Sequence, residues 1–142
     1  VPVIPDPNFG WTGTVGEVVL GATRDEGGSR SRSYRLGGST TLPFMEKDAP
    51  ARPPLIVFEV CDDPRYWSPI VNEFCGDLVH DPAAWARTAE TAYGADLVRL
   101  CLTSTKQRDF SDISGIGKTT ESVLAATTLP LIIEGSNEPK ID

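Results

Sequence analysis

DPAAWARTAETAYGADLVRLCL, residues 81–102, is the stretch from which the fold can be read. Asp81 is placed to accept from the free amides of a helix start, and Pro82 follows at the first helical position, where its missing N–H costs nothing. Trp85, Ala89, Ala92 and Tyr93 recur at helical spacing and predict one apolar face. Gly94 supplies a left-handed stop. Ala95–Leu102 then reads as a buried strand, apolar on both sides except at Arg99.

The same alternation extends in both directions. Upstream, Leu55–Val60 (LIVFEV) is a continuous apolar run of the length of a buried parallel strand. A loop with a short helix is expected over Pro64–Phe74. Downstream, Lys118–Thr127 reads as a second, weaker helix with Val123, Leu124 and Ala126 turned inward, and Leu129–Glu134 as a third strand. The order from residue 55 is β-α-β-α-β. Right-handed crossovers leave two architectures, an open doubly wound sheet or a barrel. Each strand carries one charge, Glu59, Arg99 and Glu134. A strand covered by helices on both faces tolerates this poorly, whereas a barrel interior can hold charges that pair or point to its mouth. The expected fold is therefore α/β, a partial TIM-type barrel of about three parallel strands, with Arg99 paired to Glu59, Glu134 or both. Charges at strand ends reaching water are the alternative.

Before residue 55 the composition changes. Residues 1–14 hold three prolines and two glycines and predict an extended arm. Val15–Thr23 and Arg32–Leu36 flank a polar, glycine-rich turn, which predicts an antiparallel hairpin. Residues 46–54 form a Pro-rich bridge, so the chain divides into an arm and hairpin over 1–54 and the barrel part over 55–142. With 142 residues, 39% of them hydrophobic, there is enough apolar material for one core. The net charge of −7 argues against nucleic acid and anionic membrane as partners. Neither an apolar run of 18 residues nor a charged-then-apolar leader is seen, so a cytoplasmic protein is expected. Cys61, Cys75 and Cys101 form no CxxC pair, and Cys101 is expected in the core, so neither zinc nor an iron–sulfur cluster held by this chain is expected. The start at Val1 without Met and the end soon after a strand predict a truncated chain.

Few residues carry obvious chemistry. Ser114-Gly115-Ile116-Gly117-Lys118-Thr119-Thr120 has the ending of a phosphate-binding loop, but Asp112 stands where that motif needs its first glycine, and the preceding strand ends near Leu102. A loop leading into a helix is expected instead. Asp62-Asp63 before Pro64 fits a cap or turn better than a metal-binding carboxylate pair. His80, the sole histidine, reads as a partly exposed loop residue. In parallel α/β folds ligands lie beyond the carboxyl ends of strands. Those ends read Cys61-Asp62-Asp63, Thr103-Ser104-Thr105 and Gly135-Ser136-Asn137. Thr103, Ser104, Thr105, Ser136 and Asn137 are thus the candidate ligand-facing residues, able to grip a polar ligand without supplying a nucleophile. Ordinary polar turns are the competing interpretation.

Four stretches also carry a family likeness: GATRDEGGSRSRSYRLGGSTTLPF (21–44), VFEVCD (57–62), DPAAWARTAETAYGADLVRLCLTST (81–105) and LPLIIEGSNEPKID (129–142). Together, over about residues 15–142, they resemble the small (delta) subunit of the corrinoid iron–sulfur protein of the CO dehydrogenase/acetyl-CoA synthase, or acetyl-CoA decarbonylase/synthase, system. That resemblance implies a (β/α)8 barrel paired with a larger subunit. It implies a corrinoid (cobamide) shared with that subunit, whose cobalt carries a methyl group between a pterin-type donor and acetyl-CoA synthase. The iron–sulfur cluster would lie on the large subunit and none on this chain. The implied role is that of a non-catalytic subunit, with the large subunit, a methyltransferase and acetyl-CoA synthase as partners. A complete barrel of this type runs to about 250 residues, so the chain is expected to hold only its first part. A pterin-binding barrel methyltransferase, with Glu134 and Asn137 holding the pterin, and an independent small α/β binding module are the alternatives.

Overall fold

A computed structural model describes residues 13–40, 54–103 and 113–135. Among the described residues five strands and three α-helices follow one another: β1 (Val18–Leu20), β2 (Tyr34–Leu36), β3 (Val57–Cys61), α1 (Pro69–Cys75), α2 (Pro82–Thr91), β4 (Leu97–Cys101), α3 (Ile113–Ala126) and β5 (Leu131–Glu134). Short 3₁₀ turns at Pro64–Tyr66 and Gly76–His80 flank α1. The expected β-α-β-α-β order from residue 55 is present, as a three-stranded parallel sheet in the order β3-β4-β5.

The helices pack on one face of that sheet. Val60 of β3, Val98 and Leu100 of β4 and the following Leu102 join Trp85, Ala86 and Ala89 of α2 and Val123 of α3 in one buried cluster. Side chains alternate along a strand, so Glu59, Cys61, Arg99 and Cys101 take the opposite face. Glu59 and Arg99 are register partners, as are Cys61 and Cys101, and Glu134 stands beside Cys101. The face away from the helices carries all three charges.

Helix α2 starts as expected, with the Asp81 carboxylate accepting from the amides of Ala83 and Ala84 at 3.0 Å. Gly94 takes a positive φ of 66°. The apolar face differs in detail, because the helix ends at Thr91 and its buried residues are Trp85, Ala86 and Ala89. Ala92 lies exposed past the helix end, while Tyr93 folds back onto Phe58 with ring centroids 5.3 Å apart.

Helix α3 begins at Ile113, five residues before the expected start. The glycines that suggested a loop lie inside it. Each costs about 1 kcal/mol relative to Ala, but Ile116 between them packs against the core, and burial overrides the propensity. No loop remains there to cradle a phosphate. The expected short helix after β3 is α1, capped by the Ser68 hydroxyl.

The hairpin forms with strands shorter than expected. Val18 pairs with Leu36, Val19 with Arg35 and Leu20 with Tyr34. It sits against the residues that lead into the parallel strands. Arg30 donates to the carbonyls of Thr127 (2.9 Å) and Leu124 (3.2 Å), closing the C-terminus of α3 where unpaired carbonyls favour a cation. The Ser31 amide donates to the Thr128 carbonyl at 2.8 Å. Tyr34 and Arg32 donate to one oxygen of Asp96, just before β4, and the Ile56 amide donates to the other. Gly21, at φ +82°, approaches Pro130 so closely that a Cβ there would lie 2.6 Å from the proline ring. Residues 1–12 of the expected arm over 1–14 and most of the Pro-rich bridge lie outside the described residues.

Candidate functional site

At the opposite, carboxyl ends of the strands the backbone keeps the sheet closed slightly beyond the ladders. The Asp62 amide donates to the Cys101 carbonyl at 3.1 Å and the Leu102 amide to the Glu134 carbonyl at 3.0 Å. These bonds bring the residues that follow β3, β4 and β5 to one rim.

Below the rim lies the charged row. Arg99, on the central strand, makes ion pairs with both Glu59 and Glu134. The first is a direct consequence of register, since Glu59 and Arg99 are opposite. The second is diagonal, because Arg99 is level with Ile132 and Glu134 lies one step higher on the same face. The three groups are partly buried, with side-chain exposures of 20% for Glu59, 36% for Arg99 and 29% for Glu134. The row carries one net negative charge. A hydrogen bond to Glu59 pushes the Tyr66 phenol above its usual range and adds Tyr66 to the row's outer end.

Above it stand two thiols. Cys61 and Cys101 are buried, reduced register partners. Burial pushes the Cys101 thiol up to about 11, reinforced by Cys61 and Glu59 beside it. A nucleophilic cysteine needs the opposite shift, so Cys101 is held as an unreactive thiol. The Thr103 hydroxyl lies 3.0 Å from the Cys61 sulfur and donates to Asp62 Oδ1 at 3.4 Å.

The two neighbouring aspartates part company. Asp63 turns into the 3₁₀ turn, where it accepts from the Arg65 amide at 2.9 Å and pairs with the guanidinium at 2.6 Å. Those Arg65 hydrogen bonds hold its carboxyl below the usual range against the effect of burial. Asp62 faces the rim with Thr103. The cap reading therefore fits Asp63, while Asp62 stands with Thr103 at the strand ends. His80 is exposed at the end of its 3₁₀ turn. Among the described residues no three His, Cys, Asp or Glu side chains form a group able to hold a metal ion. No described helix is long and apolar enough to cross a membrane.

Of the five candidate ligand-facing residues, Thr103 is at this rim; Ser104, Thr105, Ser136 and Asn137 lie outside the described residues. The sequence reading set Asp62 aside as a cap or turn residue and missed Tyr66 and the thiol pair. The pair could have been found from spacing, because Cys61 and Cys101 each stand two residues after one of the opposed charges, Glu59 and Arg99. Taken together, the described residues offer hydrogen-bond donors and acceptors around a polar floor.

Comparison with known proteins identifies the family. The model of the CO dehydrogenase/acetyl-CoA synthase delta subunit matches residues 17–141. The chain belongs to this family. It is 39% identical over 132 residues to the acetyl-CoA decarbonylase/synthase complex subunit delta of Methanopyrus kandleri, covering 92% of this chain and 33% of the relative. The corresponding subunit of Archaeoglobus fulgidus is 38% identical over 134 residues, 93% of this chain and 30% of that protein. That of Methanothermobacter thermautotrophicus is 37% identical over 139 residues, 96% of this chain and 34% of its own length. The chain thus spans about a third of the length of the curated relatives it matches. The family match runs through both hairpin and parallel sheet.

Proposed function

We propose that the chain is part of a non-catalytic subunit of a corrinoid methyl-carrier protein. It helps to hold a cobamide and docks partner subunits during methyl transfer to or from acetyl-CoA synthase, in the cytoplasm. The large subunit of the carrier, a methyltransferase and acetyl-CoA synthase are the partners. Membership of the delta-subunit family carries this proposal. The parallel strands with helices on one face and charges on the other support a barrel whose first part is residues 55–142, preceded by the arm and hairpin of residues 1–54.

The described rim suits the edge of a corrin, which is fringed with amide groups. Asp62 can accept from an amide N–H, and the Thr103 hydroxyl can turn from Asp62 to an amide carbonyl. Ser104, Thr105, Ser136 and Asn137 extend the same chemistry in the proposal. When bound, the cobamide supplies a cobalt that takes up and passes on the methyl group. The chain's own contribution is orientation and exclusion of water. Beneath the rim, the Arg99 guanidinium is held by two carboxylates, which leaves a fixed polar floor. The Cys101 thiol is held in its protonated form, so it does not compete for a methyl group.

Co-purification with the large subunit, recording the corrinoid absorption spectrum of the complex, tests the proposal. Stoichiometric association that retains corrinoid is expected. A folded chain that neither associates nor affects corrinoid retention would overturn it. Donor-dependent methylation of free corrinoid by the chain alone would assign it a methyltransferase activity instead.

A further inference from the structure

Four groups at the carboxyl ends of β3 and β4 are joined by hydrogen bonds, and the direction of the chain follows from which atoms hold protons. The Asp63 amide donates to the Cys61 sulfur at 3.5 Å. The Cys61 sulfur and the Thr103 hydroxyl oxygen lie 3.0 Å apart, and either could be the donor. The hydroxyl donates to Asp62 Oδ1 at 3.4 Å, and that same oxygen lies 3.9 Å from the sulfur. At neutral pH a carboxylate only accepts, so the Thr103 proton is spent on Asp62. The short contact between Cys61 and Thr103 is then filled by the thiol proton. The order is Asp63 N–H, Cys61 S–H, Thr103 O–H, Asp62 carboxylate. In the reverse order the thiol would have to reach Asp62 across the longest of the three gaps. The Thr103 and Asp62 oxygens would then face each other with no proton between them.

The start of this chain is fixed by its surroundings. Asp63 is held in its 3₁₀ turn by the Arg65 amide and guanidinium, and Cys61 is wholly buried. Hydrogen bonds aligned in series polarise one another, and here all of them end on one carboxylate. Ligands of parallel α/β folds lie beyond these strand ends, where the described residues therefore present an acceptor. A ligand N–H prolongs the chain without disturbing it. A ligand carboxylate needs the Thr103 hydroxyl to turn away from Asp62 and brings a second negative charge towards the Asp62 side chain.

We propose, resting on the carrier reading above, that Asp62 is a specificity-determining residue, with Thr103 and Cys61 as its positioning residues. It selects cobamides whose peripheral groups are amides and rejects those in which an amide has become a carboxylate. A site built around a fixed hydrogen-bonding group discriminates well against a ligand that cannot complete the bond, because the site's own polar group is left unpaired.

The test uses the complex of the chain with the large subunit and two probes, a cobamide and the same cobamide with its peripheral amides hydrolysed to carboxylates. Retention is read from the corrinoid absorption spectrum. The amide form is expected to be held about tenfold or more tighter, and Asp62→Asn, which offers an N–H of its own, is expected to remove the preference. Equal retention of the two probes by the unaltered complex, or an unchanged preference in Asp62→Asn, would overturn the assignment while leaving the carrier reading in place. A folded, associated complex that retains neither probe overturns the carrier reading and the assignment with it. The direction of the chain is checked without any corrinoid, through the infrared S–H stretch of Cys61, identified by its loss in Cys61→Ala. Thr103→Val is expected to move that stretch to the frequency of a thiol without an acceptor, and Thr103→Ser to restore it. A stretch unmoved by Thr103→Val would show that the thiol does not donate to Thr103, and the assignment would fall.

Discussion

In the parallel sheet Val60, Leu97, Val98 and Leu100 are wholly buried, whereas the described residues between 13 and 40 are at most half-buried. The hairpin's three-residue strands leave Val18 56%, Val19 46% and Leu36 42% exposed. A two-stranded ribbon of that size is marginal alone in water. It is held instead by directional bonds to the lead-in residues of the sheet, chiefly through Arg30, Ser31, Arg32 and Tyr34. The sheet is thus the body whose stability comes from apolar area, and the hairpin is a polar attachment. The hairpin needs the sheet more than the sheet needs the hairpin.

The strongest way to break that asymmetry is to strike the sheet. Leu100→Ala, at a completely buried position on the central strand, is expected to cost about 2–5 kcal/mol. Both regions should then unfold together in chemical denaturation followed by circular dichroism. Retention of a protected hairpin after loss of the sheet would reverse the comparison.

Arg99→Met comes next. It leaves Glu59 and Glu134 facing each other without their shared cation, at an expected cost of about 1–3 kcal/mol for groups that keep some access to water. The pH dependence gives the cause away. Two facing carboxylates have folded-state pKa values raised above their unfolded ones. The variant should therefore be more stable in mild acid than at neutrality, losing stability as the pH rises through those raised values. A flat profile would show that the pairing is energetically idle.

Arg30→Ala sharpens the comparison most directly. Removing the donor that closes α3 should cost about 1–2 kcal/mol. Hydrogen exchange is expected to accelerate through 18–36 while the amides of β3 and β4 stay protected. Uniform acceleration everywhere would mean that hairpin and sheet are one cooperative unit.

The smallest effect is expected at Glu90, on α2. Burial works to raise its carboxyl, but hydrogen bonds from Thr128 and Thr127 outweigh it, helped by Arg32, and hold it below its ordinary value of 4.5. A depressed folded-state pKa means that the stabilisation is present above 4.5 and is lost as the pH falls through the folded value. Glu90→Gln should cost about 1 kcal/mol at neutral pH and flatten that part of the acid unfolding curve. An unchanged acid limb would remove Glu90 from the account.

The parallel sheet was legible in the sequence because its signals are local. Leu55–Val60, Ala95–Leu102 and Leu129–Glu134 are apolar runs of strand length, and Asp81-Pro82 announces α2 within two residues. Even the Arg99 pairing could be inferred, since neighbouring parallel strands place similarly positioned charges side by side. The start of α3 was not legible, because Gly115 and Gly117 argue locally for a loop and only the tertiary contact of Ile116 outweighs them. The seating of the hairpin was equally hidden. Arg30 meets carbonyls 94 and 97 residues further along the chain, and nothing in its immediate neighbours distinguishes it from a solvated turn arginine. At the candidate site the strand-end rule reached both Thr103 and Asp62, but the Pro64 that follows argued for a cap, and only the pairing of Asp63 with Arg65 shows which of the two aspartates takes that role.

The raised Cys101 thiol has a consequence measured in time. With its pKa near 11 against an ordinary 9.0, the thiolate is about a hundredfold scarcer at neutral pH than on an unperturbed cysteine. Alkylation and oxidation proceed through the thiolate, and the sulfur is also shielded by burial. Chemical damage at the heart of the sheet is therefore slowed twice, by scarcity of the reactive form and by lack of access. Cys101 should keep its proton and its sulfur intact long after more accessible thiols of the same chain have been modified.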